Sequence, residues 1–125
     1  MTYKEVADII HGIGIPCVYR SFPEGNSPNP PFICFYYDGA DDLKADNTNY
    51  VKIRPLTIEL YTDNKDFDLE DVVEAALNSS GLVYSKDDET YIESERMYMV
   101  VYETEIIITG VVYTADPSVA IVAFA

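Results

Sequence analysis

The chain has 125 residues, 48% of them hydrophobic, and a formal charge of −14 from 22 acids against 8 bases. That length is one domain's worth of core, and a second domain would leave both halves too small to fold well alone. The bases, Lys4, Arg20, Lys44, Lys52, Arg54, Lys65, Lys86 and Arg96, are scattered singly except for Lys52 and Arg54; this argues against nucleic-acid binding through a phosphate-neutralising patch and against anionic membrane surfaces.

Taken in chain order, residues 2–13 are expected to form a helix. Thr2 and Glu5 have capping-box spacing. Tyr3, Val6, Ile9, Ile10 and Ile13 recur at helical period, and Gly12, Gly14 and Pro16 close the run. Residues 15–20 read as a first strand. Ser21 to Pro31 holds four prolines and a glycine, so it is a loop. Phe32 to Tyr37 is apolar on both faces and reads as a central strand covered on both sides.

Asp38 to Asn49 reads as an acidic turn region, and Tyr50 to Tyr61 as the next strand. Val51 and Ile53 share one phase of this strand, and Leu56, Ile58 and Leu60 share the other. The change of phase at Arg54-Pro55 predicts a bulge or an edge segment there. Asp68 is the expected N-cap of a second helix over 69–79, with Leu69, Val72, Val73, Ala76 and Leu77 as its apolar stripe. Glu70 and Asp71 fall at the positive end of its dipole.

Residues 82–86 and 90–94 read as short strands around Asp87-Asp88-Glu89, and Met97 to Ile108 as the longest strand. Tyr98, Val100, Tyr102, Thr104, Ile106 and Ile108 form one of its faces. The segment 110–125 carries one acid and no base, and reads as an apolar C-terminal strand pair or an intersubunit arm. The expected architecture over residues 1–125 is a single α+β domain. It has a mainly antiparallel β-sheet with two helices packed on one face.

The N-terminus lacks the long apolar core of a signal peptide, and no stretch is long and apolar enough to span a bilayer, so a soluble cytoplasmic protein is expected. Cys17 and Cys34 lie in apolar, strand-like sequence and read as reduced, buried thiols.

The residue types that carry chemistry are sparse. His11 and Cys17 would make a nucleophile–base pair only with a third, orienting group and a pocket, which the sequence does not supply. One histidine and two separated cysteines do not make a zinc site. Asp38, Asp41, Asp42 and Asp46 are the best cation candidates, but they lack the alternate spacing of a calcium loop and read as a solvated turn. Glu103 with Glu105, and Glu93 with Glu95, read as the wet face of strands rather than as an acid–base pair. Gly12-Ile13-Gly14 ends a helix instead of opening one, the wrong setting for a phosphate loop. No catalytic, cofactor-binding or metal residue is therefore expected, and the chain reads as a structural protein and not an enzyme.

Four pieces in order resemble one family. They are the opening helix with Ile13-Gly14-Ile15-Pro16 and a strand; the loop into Pro30-Pro31-Phe32-Ile33-Cys34-Phe35-Tyr36; the acidic stretch followed by Ile58-Glu59-Leu60-Tyr61-Thr62-Asp63-Asn64-Lys65-Asp66 and a helix; and Tyr91-Ile92-Glu93-Ser94-Glu95 before Met97 to Glu105. Over about residues 2–108 the chain resembles the tail-completion, or tail-terminator, proteins of long-tailed phages and prophages. The resemblance implies a ring of the chain with itself, usually a hexamer, that caps the tail tube and meets the head connector. Its partners would be the tail-tube protein and the head-completion protein, and its place the host cytoplasm during assembly and then the head–tail junction of the virion. It implies no cofactor, no sequence-specific nucleic-acid binding and no membrane. A negative ring would let DNA slide through without sticking. Pro28 to Pro31 and the segment 110–125 are candidate contact segments for such a ring, though 110–125 lies outside the resemblance. The other reading of the charge is an acidic adaptor or inhibitor that binds a protein by mimicking nucleic acid.

Overall fold

The computed structural model describes residues 1–109 in full and, beyond them, the backbone of 111–112 and 122–123. The first element, α1 (Tyr3–His11), starts where its capping box predicts. The Glu5 N–H donates to Thr2 Oγ1 at 3.1 Å, and the Thr2 N–H donates back to Glu5 Oε1 at 3.0 Å. Val6 and Ile10, one turn apart, are its buried residues. After Gly14, at φ +94°, the chain enters β1 (Cys17–Tyr19), which pairs in parallel with β2 (Phe32–Tyr37). The loop from Arg20 to Pro31 supplies the length that a parallel return needs.

β3 (Leu43–Ala45) and β4 (Thr48–Thr62) form a hairpin around Asp46 and Asn47, at φ +50° and +61°. Two successive positive φ values match the twist of a tight hairpin, and Asp and Asn tolerate them. The acidic turn expected over 38–49 thus contains a strand, and β4 begins two residues earlier than expected. Next comes α2 (Phe67–Ser79), capped by Asp66 and not Asp68: Asp66 Oδ1 accepts from the Leu69 N–H at 3.0 Å. Phe67 is then already helical, and Asp68 sits in the first turn. β5 (Tyr84–Lys86), β6 (Thr90–Ile92) and β7 (Met97–Ile108) complete the sheet. Glu93 and Glu95 lie in the β6–β7 turn, not on a strand face as expected. A separate pair joins β8 (Val111–Val112) to β9 (Val122–Ala123); the rest of the C-terminal segment lies outside the described residues, so its role as an arm does too.

The seven-stranded sheet runs β1-β2-β4-β7-β5, with β3 also on β4 and β6 also on β7. All pairings except β1–β2 are antiparallel. The fold is α+β, with both helices on one face. Under them Ile33 and Phe35 of β2, Leu56, Ile58 and Leu60 of β4, and Val100, Tyr102 and Ile106 of β7 meet Val6, Ile10, Val73 and Leu77 of the helices. Among the described residues no helix is long and apolar enough to cross a membrane.

Of the two alternatives expected at Arg54-Pro55, the bulge is absent and the edge segment holds, since the pairing with β2 stops at Leu56. β4 and β7 stay in one register from Lys52↔Ile108 to Thr62↔Tyr98. Pro55 fits because β2 has ended at Tyr37, opposite Leu56. The Asp38 N–H donates to the Pro55 carbonyl at 2.9 Å, and the missing proline N–H points to that same side, away from β7. The extra residue is instead Tyr50. Leu43 pairs with Val51 but Lys44 with Asn49, so Tyr50 is left over against β3.

Candidate assembly surface

Alternation along the strands decides what the helices leave uncovered. On the face away from them the ladder sets Tyr36 beside Thr57 and Glu103, Pro55 beside Glu105, and Ile53 beside Ile107. At the β2 end this face is closed. Phe22 of the loop packs edge-on against Phe32 at 5.3 Å, and Tyr61 stacks on Phe32 at 4.9 Å. Phe32 and Cys34 are therefore buried without a helix above them. The expectation that Phe32 to Tyr37 is covered on both sides holds for its first four residues, while Tyr36 and Tyr37 are half-buried. In the strand order β4, not β2, is central.

Glu59 sits on the same face. The Tyr61 hydroxyl donates to its Oε1 at 2.9 Å and the Tyr36 hydroxyl reaches its Oε2 at 3.4 Å. Burial and this carboxylate both push the Tyr61 hydroxyl well above its ordinary value. Towards β5 the face opens into a shallow depression bordered by Pro55, Thr57, Val83, Glu103, Glu105 and Ile107. Ile107 is 55% exposed and Val83 89%. Glu103 and Glu105, expected on the wet face of their strand, are exposed here.

The β3–β4 hairpin projects beyond the body as an arm. Its residues from Leu43 to Tyr50 are all exposed, Tyr50 at 73%. Its base is clamped by Asp42. That carboxylate accepts from the Ile53 N–H and from Asn49 Nδ2, both at 3.0 Å, and forms an ion pair with Arg54. Burial pushes the Asp42 carboxyl up, but these donors and the Arg54 charge outweigh it and hold it below the usual carboxylate range. Of the four acids considered for a cation, Asp42 is thus occupied as a structural acceptor, and Asp46 turns the hairpin. Among the described residues no group of three or more His, Cys, Asp or Glu side chains comes close enough to share a metal ion.

At the other end of β4 lies a charged cluster. Glu70 of α2 is only 2% exposed. Lys65 Nζ donates to Glu70 Oε2 at 2.5 Å, and Lys86 Nζ lies 2.8 Å from Glu70 Oε1 without the angle of a hydrogen bond. Lys86 also reaches Glu74 at 2.9 Å, and Lys65 reaches Glu89 at 3.4 Å. Burial pushes the Glu70 carboxyl up; the two lysines more than reverse this and hold it low. The sequence places Glu70 at the helix start and does not show its burial. The signal available was weak: a lysine five residues before it and another in a strand beyond the helix.

His11 and Cys17 come together, with Cys17 Sγ 3.5 Å from His11 Nδ1. Burial raises the Cys17 thiol, the opposite of what activates a nucleophile. His11 is exposed in the last turn of α1, where a cationic side chain favours the helix dipole. Cys34 belongs to the other face, and both cysteines are free. Compared with known proteins, the chain matches no protein-family model and no curated sequence.

Proposed function

We propose that the chain is a structural subunit of phage or prophage tail completion, which caps the tail tube and joins it to the head connector as a ring. The observation that supports this most is the one-sided sheet. The helices bury one face, and the other leaves Ile107 and Val83 exposed beside Glu103 and Glu105. A mixed apolar and acidic face of this kind suits a subunit held between neighbours, since its apolar part gains by burial and its acids select the partner. The order of elements, with a helix opening the chain and a second between β4 and β5, agrees with the four pieces on which the resemblance rests.

In this reading the body of the subunit is the rigid part. β4 and β7 pair over eleven residues in one unbroken register, so the uncovered face keeps its shape under load. The arm and the uncovered face are the parts free to meet other subunits. The test is electron microscopy of particles from an induced prophage lacking this gene. Filled heads separate from headless tails of irregular length are expected. Normal virions would overturn the reading and favour an acidic module that binds another protein.

A further inference from the structure

We propose that a second copy of this chain seats its β3–β4 arm against the Asp87–Glu89 turn and Phe67 of its neighbour, head to tail. This rests on the self-assembly reading above and specifies which surfaces meet.

Lys4, Arg54, Lys65 and Lys86 form ion pairs within the chain. Arg20 lies over the ring of Tyr36 at 5.0 Å. Among the described residues Lys44, Lys52 and Arg96 have no ion-pair partner, and Lys44 and Lys52 both belong to the arm or its base. Asp42 there is already neutralised by Arg54. From Leu43 to Lys52 the arm carries two lysines against Asp46, a net +1 on a chain of net charge −14, and Asp41 flanks its base. The arm also presents apolar surface: Tyr50, pushed out by the bulge, and Leu43.

The turn between β5 and β6 has the complementary character. Asp87, Asp88 and Glu89 are exposed, and among the described residues Asp87 and Asp88 have no ion-pair partner. They border a depression of about 560 Å³ with Phe67, which is 68% exposed. Glu70 lines the same depression together with Lys65 and Lys86, and both lysines pair with it there. An arm that carries two lysines, a tyrosine and a leucine thus meets a turn that carries acids beside a phenylalanine.

The two surfaces sit at opposite ends of β4. From Thr48 to Thr62 the strand spans about 45 Å, so one copy does not satisfy both. The contact is heterologous, and its repetition closes a ring or runs on as a filament.

The experiment uses two charge-reversed chains, Lys44→Glu with Lys52→Glu, and Asp87→Lys with Asp88→Lys. All four positions are exposed, and circular dichroism checks that each variant folds. Sedimentation velocity at about 0.15 M salt screens the long-range repulsion between acidic copies while leaving contact pairs in place. Wild-type chains are expected to associate. Each variant alone is expected to associate about tenfold or more weakly, because like charges then face each other. An equimolar mixture should recover, since every arm then finds a turn of opposite sign. Association of both variants at wild-type strength, or a mixture of folded variants that stays weak, would place the contact elsewhere. Wild-type chains that stay monomeric at millimolar concentration would overturn this contact while leaving tail completion to be judged by the deletion particles.

Discussion

The hydroxyl of Tyr102 donates to Glu74 Oε2 at 2.8 Å, from a ring with no exposed surface. The Tyr84 hydroxyl approaches the other oxygen of the same carboxylate at 3.2 Å, and the two rings meet edge to face at 5.6 Å. A tyrosine in a core needs such a partner for its polar tip. Here the partner is supplied by the helix that covers it, so the bond ties α2 to β7.

Replacing Tyr102 with Phe keeps the ring and removes this bond. Glu74 retains Lys86 and Tyr84, so no charge is stranded. The expected loss is about 1.5–3 kcal/mol, the range for a hydrogen bond to a charged group, read from the urea midpoint at an unchanged slope. An unchanged midpoint would mean that the ring's burial alone holds the helix.

The cluster also sets the pH range of stability. Burial pushes Glu70 and Glu74 up, and their bonds and charges with lysine outweigh it, so both fall below the ordinary 4.5. As pH drops, the unfolded chain takes up these protons first. Their contribution is fully present above about pH 4.5 and is lost as pH falls through the lowered values. Lys86 shifts the other way, raised by the carboxylates of Glu70 and Glu74 beside it. Its contribution is present below 10.5, its ordinary value, and is lost as pH rises beyond it. Tyr102, raised by burial and by Glu74, loses stability in the same direction above pH 10. A denaturant midpoint that is flat between about pH 5 and pH 8 is expected, falling above that as Cys17 and Cys34, ordinarily 9.0 and raised in the fold, ionise first in the unfolded chain. Glu70→Gln should flatten the acid limb. An acid limb just as steep in that variant would assign the loss to other carboxylates.

The thiols give a test independent of assembly. Burial, and then the charge of Glu59, push Cys34 up to about 11. Burial alone raises Cys17, which is only half-buried. Titration of the folded chain with a thiol-specific disulfide reagent near pH 8 should label Cys17 first and Cys34 only slowly. Both should react more slowly than in the unfolded chain. A Cys17 faster in the folded chain, and slowed by His11→Ala, would reveal an activated pair.

Asp42 is the clamp of the arm. Asp42→Ala removes the acceptor of the Ile53 N–H and the partner of Arg54. Amide hydrogen exchange should quicken at Ile53 and along the arm while the β4–β7 ladder stays protected. Equal protection in the variant would show that the β3–β4 ladder alone holds the arm.

What could be read from the sequence was local or periodic. Thr2 and Glu5 cap a helix three residues apart, and the even and odd residues of Met97 to Ile108 sort onto the faces they occupy. What could not be read depended on partners far along the chain. Val51 and Ile53 change phase against Leu56, yet no bulge is needed, because Ile53 packs beside Ile107 on the uncovered face. β3 was hidden because Asp46-Asn47 serves equally well as a loop and as a tight hairpin turn. Asp66 and Asp68 are equally good caps by type, and the start of α2 is decided by Phe67 being drawn into the helix. The burial of Glu70 depends on Lys86, which reaches it only once β5 lies beside β7.

The unbroken register of β4 against β7 constrains how the gene can change. One residue inserted or lost between Lys52 and Thr62 would turn every later side chain of that strand to the wrong face. The body can therefore diverge only by substitution. The arm lies outside that ladder, so its tip can lengthen or shorten in steps of two without disturbing the core. Lineages of this chain should keep the length of the sheet and vary the reach of the arm, leaving partner choice free to drift while the fold stays put.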